Sequence, residues 1–572
     1  VPLFYGPIVG NPRVKRGVTD FFRKALLSLD KRAFFYTFFI LLTNKNMSTL
    51  DVRQPDEEGP RNEQISASTG KGLEHHLSPP SAPTYDGRAL TPNEATCVLR
   101  MVAEGVDILE RKLTQSPQLF TKPPLGGHEL EYVLMDALGR PNPAARHLIA
   151  AYDELKAELS AFNLETDSCP LPINEHFLRG LAEQLSEKFD YVLEVAKRDG
   201  HRAALVGILP GYTLDDFGRD NFINARYRNL DAAIKELSPT PPHRITLDGP
   251  EGITAQGESL LFEAMNTSLQ LHLSVSPDDM VTVYNIVQAV TAPLLAASTN
   301  SSIVLGKKCW MESRIPIWRQ ATLPEQVPFG ERWITDPIET LRELVQFHPI
   351  LMDVDTVYGP PPSTPKEQEA RALTALGLQN GVVWRWNRVC FSADEGTEHI
   401  RIENRTLPAG PTTLDMAANA AFFYGLAYGF QGEQLKPQDV LQFEDVKANF
   451  YHSARLGLDA ALTWYDLEGE KITLSAKELA LQLLDTADKG LAQLGILKAE
   501  RDFYLRGILR KRIETESTGA HWMIRSLDSL ERKGVSIEEA IQTIADEMQR
   551  NQITPSSEWK GYAPPVHAWG VL

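Results

Sequence analysis

Three charged residues alternate along a predicted strand near position 400, in a pattern suited to phosphoryl transfer. Arg401, Glu403 and Arg405 take every second position, so a strand projects them from one face, opposite Ile400 and Ile402. A carboxylate in such a row can hold Mg²⁺ while two guanidinium groups neutralise charge on a migrating phosphoryl group. The alternative is a surface row of ion pairs, which would contribute little to stability.

The segment just before this row predicts the other strand of a hairpin. Residues 382–391 and 398–407 have the pattern of two strands, joined by a polar loop at residues 392–397. Arg385 and Arg388 on the first strand add two more guanidinium groups. In a chain with a formal net charge of −17, this concentration of cations indicates a local anion-binding site.

A second candidate site consists of the carboxylates of Glu129 and Glu131. They alternate along a predicted strand and therefore point to one face. Such a pair can be a solvated exterior, but Leu125 before it and the apolar residues 133–135 after it favour burial. Because buried carboxylates need compensating cations, a metal site is as well supported here as a plain surface.

Residues 266–275 predict a third strand, with hydrogen-bonding side chains on a single face. Ser268, Gln270, His272 and Ser274 alternate with mainly apolar residues. A lone histidine is more often structural, but a polar row of this kind favours a face that lines a ligand.

Composition argues against several classes of protein. An acidic balance disfavours broad nucleic-acid binding, which needs a basic face. No apolar run reaches the roughly 18 residues that a membrane helix needs. The chain lacks the phosphate-loop, dinucleotide-binding, zinc-protease and serine-hydrolase motifs. The four cysteines, Cys97, Cys169, Cys309 and Cys390, have neither zinc nor redox spacing and indicate a reducing cytoplasm.

The start of the chain is expected to lie outside the folded core. We interpret residues 1–46 as a leader that is not part of the native protein, and residues 47–90 as a disordered or wrapping arm. A helix is predicted from Thr91, where Pro92 and Glu94 complete a capping box.

The order of the remaining elements predicts an α+β protein. Residues 91–412 are expected to form the catalytic core, and residues 413–572 a mostly helical C-terminal region that serves packing or assembly. Within the core the periodicity predicts helices at 144–160, 174–199 and 278–298, and strands at 161–166 and 201–209.

Taken in order, several short segments resemble the type 2 glutamate–cysteine ligases, a carboxylate–amine ligase family of the glutamine synthetase superfamily. Each segment alone is a weak signal, and their joint order over about residues 120–430 is fairly specific. The segments are Gly-Gly-His-Glu-Leu-Glu at 126–131, Phe-Asn-Leu-Glu at 162–165, Gly-Ile-Leu-Pro-Gly at 207–211, Arg226-Tyr227, Thr-Ser-Leu-Gln-Leu-His at 267–272, Asn300-Ser301-Ser302, Ser313-Arg314, Arg-Ile-Glu-Asn-Arg at 401–405 and Leu-Pro-Ala-Gly-Pro-Thr at 407–412.

The resemblance implies a fold and a set of site residues. The fold would be a curved antiparallel sheet with flanking helices, whose inward carboxylates and histidine hold Mg²⁺ or Mn²⁺ beside ATP. By position, the metal ligands would be Glu129, Glu131, Glu165, His272 and Glu403. Arg401 and Arg405 would act with Glu403 on the phosphoryl group. The further candidates for binding ATP or substrate are Gln270, Arg314 and Arg388.

The resemblance also implies the reaction. ATP would phosphorylate a carboxylate, typically the γ-carboxylate of glutamate, and an amine would then displace phosphate to form an amide. We therefore expect a cytoplasmic, ATP-dependent carboxylate–amine ligase, with glutamate–cysteine ligase activity as the first to consider. Two alternatives stay open: a phosphotransferase of the guanidino-kinase type, and an inactive assembly protein. The expected partners are small molecules and, through the helical region, a homo-oligomer, without nucleic acid or membrane.

Overall fold

A curled antiparallel sheet of eight strands carries the polar rows found in the sequence. The computed structural model describes residues 90–238, 243–350 and 360–572, all of which belong to the unit Pro80–Leu572. The strands of the sheet are β1 (Leu125–Met135), β2 (Lys156–Ala157), β3 (Asn163–Asp167), β4 (Leu171–Pro172), β5 (Arg202–Ala204), β8 (Ser268–Val275), β11 (Asn387–Ser392) and β12 (His399–Pro408). Their order is β11-β12-β8-β1-β3-β2, and β4 and β5 also pair with β1.

Three hairpins lie outside this sheet. They are β6 (Arg244–Leu247) with β7 (Ile253–Gln256), β9 (Ile303–Val304) with β10 (Lys307–Lys308), and β13 (Ala461–Tyr465) with β14 (Lys471–Ser475).

Helices make up most of the remaining described chain. In chain order they are α1 (Pro92–Gln115), α2 (Pro117–Phe120), α3 (Ala145–Ala151), α4 (Phe177–Arg198), α5 (Ala225–Leu237), α6 (Pro277–Ala296), α7 (Arg314–Ala321), α8 (Glu339–Arg342), α9 (Pro365–Gly381), α10 (Thr413–Gly429), α11 (Pro437–Val440), α12 (Phe443–Leu456), α13 (Ala476–Gln493), α14 (Lys498–Arg501), α15 (Lys511–Glu514), α16 (Gly519–Arg532) and α17 (Ile537–Ile553). A π-helix, Asp502–Arg510, joins α14 to α15.

One face of the sheet is apolar and packs on helices. Leu269, Leu271 and Leu273 of β8 and Ile400 and Ile402 of β12 are completely buried. They belong to the same hydrophobic cluster as residues of α4, α6 and α10. Because side chains alternate along a strand, this packing directs the intervening polar residues to the opposite face.

The glycine pair that opens β1 allows this close packing. A side-chain carbon added at Gly126 would lie 2.3 Å from the ring of Phe177 on α4 and 3.0 Å from the hydroxyl of Tyr424 on α10. The hydroxyl of Tyr424 bonds to the carbonyls of Gly127 and His272, which ties α10 to both central strands.

Several predicted elements are confirmed. The capping box of Thr91 and Glu94 begins α1, with Pro92 in its first turn. Helix α4 fills the predicted span 174–199, and α6 that of 278–298. The hairpin of β11 and β12 is antiparallel, as its pattern predicts, but β11 begins at Asn387, so Arg385 lies before the strand and not on it as expected.

Two predictions near the site were wrong. The helix predicted for residues 144–160 ends at Ala151, and Lys156 and Ala157 then pair with β3. Leu148, Leu155 and Leu159 are buried and have the spacing of one helical face, which favours a single helix in the sequence. In the structure only Leu148 lies in α3, and the other two pack from the chain that follows it. The strand predicted at 201–209 spans only Arg202–Ala204.

The region after residue 413 is less purely helical than predicted. Strands β13 and β14 form a hairpin there, closed by a turn in which Gly469 has a φ of 83°. Helix α10 belongs to the same core as the sheet, and a division of the chain at residue 412 stays a prediction. The predicted leader and arm lie outside the described residues. No helix in the described part of the chain is long and apolar enough to cross a membrane.

Candidate active site

The polar face of the sheet brings Glu129, His272 and Glu403 together. One potential ligand atom from each lies within 4.8 Å of the others. Nε2 of His272 is 3.1 Å from Oε1 of Glu129. Glu403 stands directly opposite His272 where β12 pairs with β8. We call these three residues the histidine cluster.

Glu403 is neutralised by two arginines of the protein. Arg388 donates to both of its carboxylate oxygens, and Nη1 of Arg405 donates to Oε1 at 2.9 Å. Burial opposes ionisation of Glu403, but Arg388 and Arg405 hold its pKa well below the usual range. Glu403 therefore stays ionised and orients the two guanidinium groups.

A second group of acids, Glu131, Glu158 and Glu165, lies beside the first, and we call it the carboxylate cluster. One oxygen of each lies within 4.8 Å of the others. Glu131 of β1 is directly opposite Glu165 of β3. None of the three forms an ion pair with another described residue, and the charge of Arg405 offsets only part of the cost of ionising Glu131 and Glu158.

Burial and the closeness of the carboxylates raise the pKa values of all three acids. Burial, and then the charge of Glu158, raise the pKa of Glu131 to about 8. Burial and neighbouring carboxylates raise the pKa of Glu165 well above its usual value, and burial raises that of Glu158. Glu131 accepts hydrogen bonds from Ser268 and Gln270, but neither donor carries a charge.

A cavity of about 260 Å³ opens next to both clusters. Its wall combines carboxylates, two arginines and large apolar or aromatic side chains. The lining residues are Glu129, Glu131, Glu158, Leu159, Glu165, Tyr227, Leu230, Leu260, Glu263, Gln270, Trp318, Thr322, Gly381, Trp384, Arg388 and Arg405.

Arg405 is held firmly and still has a free donor. Its guanidinium lies 5.3 Å from the ring centre of Trp318, and its Nη1 donates to Oε1 of Gln270 at 2.5 Å. Its Nε is buried and has no partner among the described residues. A buried donor without a partner is costly, so this nitrogen is suited to bind an anionic ligand.

Arg401 contacts the histidine cluster from its outer side. Its Nε lies 3.1 Å from Nδ1 of His272, and its Nη1 lies 2.8 Å from Nε2 of His399. It forms no ion pair with a described carboxylate, so it retains a positive charge available to a phosphate.

Arg314 has a different place from the one expected for a ligand-binding residue. It is completely buried, its Nε donates to Glu312 at 2.8 Å, and its Nη2 donates to the carbonyl of Thr406 at 2.6 Å. It does not line the cavity. Arg314 therefore supports β12 through the carbonyl of Thr406, the residue that follows Arg405.

Sequence reasoning missed Glu158, Glu263 and Trp318. Glu158 fell within the helix wrongly predicted for 144–160. Glu263 belongs to the 3₁₀-helix Leu260–Met265, which has no distinctive motif. Trp318 follows Arg314 by one helical turn on α7, and this spacing was the available signal.

Both clusters offer donors that suit a hard divalent cation. Carboxylate oxygens are the preferred ligands of both Mg²⁺ and Mn²⁺. A cation in the histidine cluster would share Glu403 with two arginines. The carboxylate cluster lacks any such partner, so a bound cation would relieve the repulsion that raises its pKa values. The carboxylate cluster therefore fits a divalent cation better than the histidine cluster does.

Comparison with known proteins adds a family match. The model of glutamate-cysteine ligase family 2 matches residues 125–553, a span that contains both clusters and the cavity. No curated protein sequence matches the chain.

Three solved structures are similar in fold. Glutamate–cysteine ligase from Francisella tularensis, in complex with AMP, is 13% identical with a TM-score of 0.48, over 78% of this chain and 91% of that one. A bifunctional glutathione synthetase from Pasteurella multocida is 13% identical with a TM-score of 0.45, over 77% and 54%. The ligase PafA, in complex with the prokaryotic ubiquitin-like protein Pup, is 9% identical with a TM-score of 0.32, over 75% and 74%.

Proposed function

The chain belongs to glutamate-cysteine ligase family 2, and on this premise we propose that it joins the γ-carboxylate of glutamate to an amine at the expense of ATP. Cysteine is the first acceptor to test. The supporting observation is a cavity that borders both acid clusters and is lined by Arg388 and Arg405, with Arg401 on the outer side of the histidine cluster. Such a site can hold a polyanion and a carboxylate next to each other. The repulsion between these two anions is the obstacle that the reaction must overcome.

The reaction has two steps that balance. The γ-phosphoryl group of ATP moves to a carboxylate oxygen of glutamate, and ADP leaves. The amine nitrogen then attacks the acyl carbon, phosphate departs, and the nitrogen loses a proton. When bound, a divalent cation supplies charge neutralisation between the nucleotide and the carboxylate. The residues that would hold it are those of the two clusters: Glu129, Glu131, Glu158, Glu165, His272 and Glu403.

The arginines are the groups of the chain that stabilise the migrating phosphoryl group. Arg405 offers its buried Nε, and Glu403 with Gln270 fixes its orientation. Arg401 brings a second guanidinium next to the histidine cluster. Charges placed in advance within a buried site act more strongly on a developing anion than they would in water.

The apolar wall protects the activated carboxylate from water. Leu159, Leu230 and Leu260 line the cavity together with Trp318 and Trp384. An acyl phosphate that meets water is hydrolysed, and exclusion of water by these side chains favours attack by the amine.

The same premise indicates the cellular compartment in which the reaction would take place. Four free thiols among the described residues support a reducing cytoplasm, where glutathione-type synthesis would take place.

Product analysis tests the proposal. The full chain is incubated with ATP, Mg²⁺ and glutamate, and the amine is varied from cysteine to other amino acids and simple amines. We expect ADP, free phosphate and an amide in equal amounts with at least one amine. A phosphorylated product without free phosphate would identify a phosphotransferase. The absence of Mg²⁺·ATP binding by calorimetry would identify an inactive protein.

A further inference from the structure

Arg401 lies between two imidazole rings. Its Nε is 3.1 Å from Nδ1 of His272 on β8, and its Nη1 is 2.8 Å from Nε2 of His399, two residues earlier on β12. Arginine can only donate hydrogen bonds, so both of these ring nitrogens must act as acceptors. The position of Arg401 therefore depends on which nitrogen of each ring carries a proton.

The turn of the hairpin fixes the proton of His399. Nδ1 of His399 lies 2.8 Å from the carbonyl oxygen of Thr397, and a carbonyl only accepts. Nδ1 therefore carries the hydrogen, and Nε2 keeps the lone pair that Arg401 needs. Burial, and then the charge of Arg401, lower the pKa of His399, which keeps the ring neutral.

The turn itself is well ordered by its own bonds. The hydroxyls of Thr397 and Ser392 lie 2.9 Å apart, and the amide of Gly396 donates to Glu398 at 3.0 Å. Gly396 has a φ of 88°, which a glycine adopts without strain. The carbonyl that orients His399 is thus part of the hairpin structure.

The hydrogen bond from Arg401 to His272 is easier to lose than the one to His399. Its Nδ1 accepts from Arg401, so the proton is on Nε2, the nitrogen that faces Oε1 of Glu129. If Nε2 gives its lone pair to a cation, the proton must lie on Nδ1, where it would oppose the donor of Arg401. The bond between His272 and Arg401 is therefore incompatible with a cation on Nε2.

We propose that His399 is a positioning residue. It holds Arg401 beside the histidine cluster, and it continues to hold Arg401 when His272 binds a metal cation. The inference deepens the proposed function, on which it rests, because it takes Arg401 to contact the phosphates of ATP. His399 has no competing ligand, since its second nitrogen is committed to Thr397.

Two substitutions of His399 distinguish its role as a hydrogen-bond acceptor from the space that its ring fills. In His399→Gln the amide oxygen can reach the position of Nε2 and accept from Arg401. In His399→Phe the ring is kept and the acceptor is lost. We expect the phenylalanine variant to raise KM for ATP about tenfold with KM for glutamate changed less than twofold. The glutamine variant should stay within threefold of the parent on both.

A double-mutant cycle shows whether the effect passes through Arg401. In the Arg401→Met background, His399→Phe should change KM for ATP less than twofold. The same comparison is made without turnover, by calorimetry of Mg²⁺ with adenylyl imidodiphosphate, where the affinity should fall about tenfold only when Arg401 is present.

The outcomes that would overturn the inference are distinct. Equal damage by glutamine and phenylalanine, or an undiminished effect in the Arg401→Met background, would show a structural role for His399. Nucleotide binding by His399→Phe as tight as by the parent would do the same. If the parent itself binds no nucleotide, the proposed function fails together with the inference, whereas binding that is weaker in the phenylalanine variant than in both the parent and the glutamine variant supports both.

Discussion

Glu131 of β1 and Glu165 of β3 are directly opposite each other in the antiparallel pairing of the two strands. Like charges in such a position repel, and Glu158 adds a third acid within 4.8 Å. Strand pairing and packing hold the three carboxylates together in the protein alone. The free energy lost to this repulsion is what a divalent cation would recover on binding.

Glu165→Gln should make the cation-free protein more stable and the enzyme inactive. Glutamine cannot ionise, so the folded protein no longer has to suppress a charge on this buried side chain, and we expect the free energy of unfolding in EDTA to rise by about 1 kcal/mol. Turnover should fall about 100-fold or more, which is about 2.7 kcal/mol of barrier. Denaturant unfolding and ADP release measure the two effects, with Glu468→Gln on the exposed turn after β13 as the control. A less stable variant would contradict the account of the cluster.

Mg²⁺ should stabilise the parent protein against heat in the absence of nucleotide. A ligand at 100 times its Kd stabilises the folded state by about 2.7 kcal/mol. We expect the resulting rise in Tm to be largely lost in Glu165→Gln, because that variant has one charged ligand fewer in the carboxylate cluster. An equal rise in both proteins would place the cation elsewhere.

Glu403→Gln should lose both turnover and stability. The carboxylate is completely buried and neutralises Arg388 and Arg405, so its replacement by a neutral amide leaves both guanidinium groups without their counter-charge. Breaking a buried pair in this way costs about 3 kcal/mol or more. Turnover within about tenfold of the parent, in a variant shown by circular dichroism to be folded, would argue against a role in the site.

Trp318→Leu should weaken the site through Arg405. The indole ring supports the guanidinium at 5.3 Å, and an interaction of this kind contributes about 1–2 kcal/mol when desolvated. We expect turnover to fall about tenfold, while Trp318→Phe, which keeps an aromatic face, loses less. Trp384→Leu changes the same cavity wall at a ring other than the one that faces the Arg405 guanidinium and is the control. Equal losses in Trp318→Leu and Trp384→Leu would show that only the shape of the wall matters.

The strands that carry the site were visible in the sequence because alternation is a local property. Glu129 with Glu131, the row from Ser268 to Ser274, and Arg401 with Glu403 each lie within a single strand, and one buried face fixes their direction. Glu158 was not visible, since it reaches the cluster through a short edge strand next to a turn. Arg314 was placed in the site by the family resemblance; its burial with Glu312 and its hydrogen bond to the carbonyl of Thr406 depend on packing that no local pattern contains.

Acid should destabilise the protein in part through His521 at the start of α16. Burial, and then the charge of Arg525, lower the pKa of His521 to about 4, from 6.5. Between pH 6.5 and 4 the unfolded chain binds a proton there that the folded protein does not, so stability falls as the pH drops through this range. The loss should be roughly 3 kcal/mol. His521→Asn can keep the hydrogen bond that Nδ1 makes with Thr518 at 2.8 Å and cannot take up the proton. Urea unfolding at pH 7 and pH 4.5 should show a smaller loss in the variant, and an equal loss in both proteins would mean that His521 is already charged in the folded state.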